Sequence, residues 1–295
     1  MPKRFWWQRS DNAPMPMDIP GRETVQAGQS HYLLPNDLGE SHRLDFQHYA
    51  LHAYFDTNHF APLDQPDSIL DAACGTGRWP VEMAREFPQA RVIGIDIHTP
   101  EQHYLEALGT LPPNYTFQLG NILESLPFAD GTFAYVHMRF MVTAMPAVQW
   151  SLVVGELARV TAPGGRVELV EGDLPVEGGP ALEQLREWLM QLVALRGVDG
   201  TLGSQIGSFL ADAGLADVVA RNTLLPMGPQ GGKVGQLVAT DMFSAFRGLT
   251  QPLEQSDIAS PDVIQQTLAA AHEEVYGGHY QCKWPIFTAY GSKIQ

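Results

Sequence analysis

Two carboxylates, each closing a short apolar run, frame the stretch of this chain best suited to hold a ligand: Ser68-Ile69-Leu70-Asp71 and Arg91-Val92-Ile93-Gly94-Ile95-Asp96. Between them lies Ala72-Ala73-Cys74-Gly75-Thr76-Gly77, whose two glycines let the backbone bend tightly and approach a ligand closely. The apolar runs predict buried parallel strands, and Pro80 suits the first turn of a helix, where its missing N–H costs nothing. The pattern departs from the dinucleotide fingerprint G-x-G-x-x-G, because Pro80 stands where the last glycine should be. No Gly-Lys-Ser/Thr follows the turn, as a phosphate-cradling loop requires. What remains, D-x-A-x-G-x-G with a second acid downstream, suits a ligand without phosphates that carries a ribose diol and an amino-acid head group. Asp96 can accept from both ribose hydroxyls, and the bare backbone at Gly75 and Gly77 can hold the amino-acid end.

Groups able to move a proton lie elsewhere along the chain. His137 ends the run Phe133-Ala134-Tyr135-Val136, and Glu171 and Asp173 follow the run Val167 to Val170. His48 lies on a helix expected to start at a cap on Asn36 or Asp37 and to continue to about Phe55, with Leu44, Leu51 and Phe55 on one stripe. On that helix Arg43 and Gln47 are one turn apart and can point into one cleft, or simply be solvated. A lone histidine is more often a structural hydrogen bonder than a base. The histidines show no H-E-x-x-H or comparable spacing, so no metal is expected.

The elements that must position these residues follow in order. Residues 1–28 lack periodicity and read as a flexible tail, and 29–60 as an N-terminal helical segment. Residues 61–173 carry the alternating strand and helix pattern of a ligand-binding core: a helix led by Pro100, a strand at Thr116–Leu119, a strand ending at His137, a helix over Val148–Val160, a tight Pro163-Gly164-Gly165 turn, and a strand over Val167–Val170. Residues 174–295 add helices at Ala181–Leu195, Ser204–Ala213, Leu237–Phe246 and Pro261–Tyr276, and strands at Val218–Leu225 and Trp284–Tyr290.

Composition bounds the class. The chain has 295 residues, 44% of them hydrophobic and 17% charged, ordinary for a globular protein. Its formal net charge of −15 argues against nucleic acid and against an anionic membrane surface as partners. No apolar run is long enough to span a bilayer, and Met1 to Trp7 lacks the apolar core of a signal peptide. Two cysteines, Cys74 and Cys282, make no disulfide framework, so a reducing cytoplasm is expected.

The glycine turn resembles motif I of the class I methyltransferases that use S-adenosylmethionine (SAM), normally E/D-x-G-x-G-x-G, with Ala73 replacing the first glycine. Tyr32-Leu33-Leu34-Pro35-Asn36-Asp37 followed by Glu40-Ser41-His42-Arg43-Leu44-Asp45-Phe46-Gln47-His48 is similar to the N-terminal segment of the LaeA-like branch, which includes fungal regulators of secondary metabolism and bacterial natural-product enzymes. The likeness continues through Arg78-Trp79, Glu86-Phe87-Pro88 and Phe133 to Arg139, and covers roughly Tyr32 to Asp173. It implies an α/β, Rossmann-like seven-stranded class I methyltransferase sheet, with a helical lid from the N-terminal segment and insertions after strands five and six, and a last strand entering antiparallel. It implies SAM as cofactor and S-adenosylhomocysteine as product. The cofactor would be held by Tyr32, Arg43, Asp71, Ala73, Gly75, Gly77, Asp96, Ile97, Asn121, Ile122 and His137, with Asn121 on the adenine edge and Ile122 on its face. Catalytic candidates are His137, His48, Tyr32 and Glu171. The expected acceptor is a small, fairly apolar metabolite methylated at O, N or C; the alternative is a SAM-fold regulator, non-catalytic or protein-directed, acting through a partner protein. A homo-oligomer formed through the N-terminal segment is compatible with the sequence.

Overall fold

The computed structural model describes residue 34 and residues 38–100, 108–173 and 178–294. Seven strands form one sheet in the order β3-β2-β1-β4-β5-β7-β6. The strands are β1 (Ser68–Ala72), β2 (Arg91–Asp96), β3 (Tyr115–Leu119), β4 (Phe133–Arg139), β5 (Thr161–Gly172), β6 (Leu215–Pro226) and β7 (Lys283–Lys293). The first five are parallel, and β7 lies antiparallel between β5 and β6. Strand order reverses at β1, which pairs β2 on one side and β4 on the other, so a crevice opens at the carboxyl ends of β1 and β4, where open α/β sheets bind ligands.

The helices are α1 (Leu38–Phe55), α2 (Arg78–Glu86), α3 (Trp150–Val160), α4 (Pro180–Ala194), α5 (Ile206–Asp212), α6 (Gly232–Gly248), α7 (Thr250–Gln255) and α8 (Pro261–Tyr276). Side chains alternate across the pleat of β4. Val136 and Met138 join the core under α3 and α5, while Tyr135 packs with Trp79 and Met83 under α2. A third core joins α1 to α4, α6, α7 and α8 through Phe46, Leu51, Leu185, Phe243 and Ile264. The insertions after β5 and β6 therefore share a hydrophobic body with the N-terminal helix.

Local details differ from the sequence reading. The caps expected at Asn36 or Asp37, and the helix after Pro100, fall on residues outside the described set. Strand β4 runs two residues past His137, to Arg139. Strand β5 begins at Thr161, so Pro163-Gly164-Gly165 is a bulge within it and no turn precedes it: Phe133 pairs with Thr161, but Tyr135 already pairs with Arg166. Gly165 permits this because a β-carbon there would sit 2.8 Å from the Ala134 carbonyl oxygen. Helix α6 starts at Gly232, earlier than its apolar pattern suggests, and α7 was not anticipated.

Candidate cofactor site and the pocket beneath helix α1

After β1 the chain makes a turn with Ala73, Gly75 and Gly77 all in the left-handed region, at φ 59°, 54° and 76°. For Ala73 this conformation costs about 1–2 kcal/mol, and backbone bonds over-determine it: Cys74 N–H donates to the Ile95 carbonyl at 3.0 Å and Gly77 N–H to the Cys74 carbonyl at 3.0 Å. Gly75 N–H donates to Asp96 Oδ2 at 2.8 Å, so the acid ending β2 already touches the turn. Burial raises the Asp96 pKa, opposed by the N–H groups of Gly75 and His98. Gly94, inside β2, makes room for the Cys74 thiol, which a β-carbon there would meet at 2.8 Å. A glycine inside a strand is the sequence signal of such an approach. Beside Asp96, Ile97 is exposed, whereas Ile122 is buried in the core. Asn121 Oδ1 accepts from Leu123 N–H at 3.0 Å and its amide reaches Glu124 at 3.3 Å. Tyr32 lies outside the described residues.

Helix α1 crosses this turn, with Leu44 at van der Waals distance from where a β-carbon on Gly75 would stand. Its polar residues Glu40, Arg43, Gln47 and His48 are buried, so each needs a partner. Arg43 bonds Glu40 at 2.8 and 2.7 Å and also Asp241 of α6. Gln47 Nε2 reaches the same Asp241 at 3.4 Å, so Arg43 and Gln47 share one buried partner. Asp45 takes Arg78 in a two-pronged pair at 3.0 and 2.7 Å. Here Arg43 ties α1 to α6 through buried carboxylates; nothing local in the sequence points to Asp241.

Beneath α1, on the same face of the sheet, Tyr135, His137 and Arg139 alternate along β4. His137 Nδ1 lies 2.8 Å from Asp71 Oδ1, and its ring stacks on Trp79 with centroids 3.8 Å apart and planes at 8°. Trp79 Nε1 donates to the Asn58 carbonyl at 2.7 Å, which fixes the indole. Asp71 therefore holds Nδ1–H and leaves Nε2 as the basic nitrogen. Burial lowers the His137 pKa, against the pull of Asp71, so the ring is neutral and able to take a proton. His48 is different. Arg139 Nη2 donates to its Nδ1 at 3.1 Å, which puts the proton on Nε2, where Glu82 accepts at 2.9 Å. With both nitrogens occupied, His48 is a bridge between Glu82 and Arg139.

Glu171, on the opposite face of β5, is fully buried and accepts from the N–H groups of Met141 and Val142 at 2.8 and 3.0 Å. Those residues follow Phe140, which is left-handed at φ 58°. Both Glu171 oxygens thus hold the loop after β4. Its neighbour Glu168 accepts from Phe60 and Ala61 N–H at 2.8 and 2.6 Å. Burial pushes Glu171 up to about 8 and Glu168 to about 7, against these N–H donors. Both values lie above the ordinary 4.5 regained on unfolding. Their stabilisation is therefore complete below about 4.5 and is lost as the pH rises through the folded values of about 7 and 8. Thermal midpoints should fall from about pH 5 to about pH 9, and fall less steeply in Glu171→Gln. An unchanged slope in that variant would remove Glu171 from the account.

Among the described residues no three His, Cys, Asp or Glu side chains cluster as metal ligands, and no helix is long and apolar enough to cross a membrane.

Residues 69–165 match the family described as "Methyltransferase domain". The chain is 30% identical over 211 residues to methyltransferase str3 of Strobilurus tenacellus, covering 69% of this chain and 73% of that protein. It is 30% identical over 219 residues to N-methyltransferase sirN of Leptosphaeria maculans, covering 71% and 75% respectively. Among solved structures, the YcgJ protein of Bacillus subtilis shares the fold with a TM-score of 0.51 at 19% identity, over 84% of this chain and 99% of that one.

Proposed function

This chain belongs to the SAM-dependent methyltransferases, and from that premise we propose that it transfers a methyl group to a small, fairly apolar metabolite. The observation that carries the reading is the left-handed turn Ala73–Gly77 meeting Asp96 at the reversal of strand order, beneath a helical body that adjoins the same crevice. SAM supplies an already activated methyl group, so the protein's main tasks are to align the acceptor and to exclude water. Asp96 would accept from the ribose hydroxyls, Gly75 and Gly77 would admit the amino-acid end, and Ile97 would cover an adenine face. His137, oriented by Asp71, is the base for an acceptor that must lose a proton, a role worth about 10²–10⁴ in rate. Helices α1, α4 and α6 exclude water from the transfer.

The test is calorimetric titration with SAM and S-adenosylhomocysteine, followed by a screen of small acceptors for the mass gain of one methyl group. Binding with turnover of a small acceptor is expected. SAM binding with methylation of a partner protein only would replace the small-molecule assignment by the protein-directed one. His137→Asn should keep cofactor affinity while lowering kcat for O–H or N–H acceptors.

A further inference from the structure

Four consecutive residues at and just past the end of β5, Val170 to Asp173, all act on the loop that follows β4. Phe140 N–H donates to the Val170 carbonyl at 2.9 Å. Glu171 takes the next two N–H groups, Met141 at 2.8 Å and Val142 at 3.0 Å, one on each carboxylate oxygen. Gly172 leaves room for the Trp284 indole, which a β-carbon there would meet at 2.8 Å. That indole stacks on the Phe140 ring, with centroids 5.7 Å apart and planes at 13°, and donates to the Asp173 carbonyl at 2.7 Å.

The loop they hold is strained. Phe140 is left-handed at φ 58°, which a bulky residue adopts only where its surroundings impose it. The clamp is also costly, because Glu171 is fully buried and among the described residues no cation pairs with it. Its place in the sheet gives the reason. Strands β1 and β4 pair with Asp71 opposite His137 and Ala72 opposite Met138. The chain therefore leaves β4 beside the turn Ala73–Gly77 by which it leaves β1. A cofactor whose ribose meets Asp96 at the tip of β2 must extend across β1 toward β4. Its sulfonium and amino-acid end then face the loop after β4.

We propose that Glu171 is a positioning residue for methyl transfer: its carboxylate fixes Phe140, Met141 and Val142 as the wall that sets the methyl-bearing end of the cofactor. The proposal rests on the SAM reading and adds to it a residue that acts only through loop N–H groups. An ionised carboxylate offers two full acceptors, whereas a neutral carboxyl or an amide offers one carbonyl oxygen. The clamp is therefore firmest where Glu171 is ionised, above the value of about 8 to which burial pushes it. The elements packed against Glu171 are the loop itself, β7 at Phe287 and the segment 202–205 at Gly203. Among the described residues no titratable side chain on them acts on its charge.

The test is calorimetry of the full chain with S-adenosylhomocysteine at pH 6 and at pH 8.5, with melting curves to show that each protein is folded. At pH 8.5 Glu171→Gln should bind S-adenosylhomocysteine at least about tenfold more weakly than wild type. At pH 6, where the wild-type acid is itself neutral, the gap should shrink to about threefold or less. Glu171→Asp should recover part of the affinity at pH 8.5. In the wild type the Phe140, Met141 and Val142 amide resonances should move when S-adenosylhomocysteine is added. A carboxylate that merely supports the fold would lower the melting temperature of the variant and leave these affinities alone. Equal affinities at pH 8.5, a gap of one size at both pH values, or loop amides that stay in place on binding each overturn the proposal. Absence of binding to folded wild type strikes the SAM reading instead. The Met141 and Val142 amides, titrated without ligand from pH 6 to pH 9, then decide the clamp, and resonances that do not move overturn it.

Discussion

Asp96→Ala is expected to weaken SAM binding at least about a hundredfold, because a charged acceptor facing two hydroxyls contributes about 1.5–3 kcal/mol per hydrogen bond. The carboxylate also takes the N–H groups of Gly75 and His98, at 2.8 and 3.1 Å, so the substitution loosens the turn that admits the ligand. Asp96→Asn keeps one acceptor oxygen and should fall between wild type and alanine. Because burial raises the Asp96 pKa, affinity should begin to fall on acidification at a higher pH than an ordinary aspartate would give. Calorimetry on protein shown by circular dichroism to be folded checks both points. Undiminished affinity in the alanine variant would remove Asp96 from the site.

Trp79→Ala should be the most damaging single change to stability, about 3–5 kcal/mol in urea unfolding. The side chain is only 2% exposed. It fills the space under α2, stacks on His137 and donates to the Asn58 carbonyl. Its removal leaves a cavity, an unsatisfied carbonyl and an imidazole held only by Asp71. Trp79→Phe keeps one six-membered ring but loses the pyrrole ring and its N–H, so about 1–3 kcal/mol is expected from the orphaned carbonyl and the lost volume. A loss below about 1 kcal/mol in the alanine variant would mean that the site collapses without cost, and that the stack does not hold His137 in place.

The elements legible in the sequence were those with local signatures. The acids closing β1 and β2, the glycine turn and the proline-led start of α8 are visible because strand periodicity, glycine's backbone freedom and a missing N–H act within a few residues. Bulges and boundaries were less legible. Nothing in Pro163-Gly164-Gly165 says whether the chain turns before a strand or bulges within one; the neighbouring Ala134 carbonyl decides that.

The roles of the polar residues on α1 lay further from view. As a sequence, Glu40, Arg43, Asp45, Gln47 and His48 read equally well as a solvated face. In the fold they are matched by Asp241, Arg78, Glu82 and Arg139, partners from α6, α2 and β4. Burying a polar group is tolerable only where another supplies its bond, and separations of up to 198 residues leave no periodicity to find. The same holds for Glu171. A carboxylate at the end of a central strand reads as a base, but two loop N–H groups take both of its oxygens.

By itself, then, the sequence determined the α/β pattern, the left-handed turn and the acid facing it, since each depends on near neighbours in the chain. Which histidine keeps a nitrogen for chemistry, and which carboxylate gives both oxygens to a loop, only the tertiary structure decided. Both depend on a competition among buried donors and acceptors that the sheet and α1 bring together from distant parts of the chain.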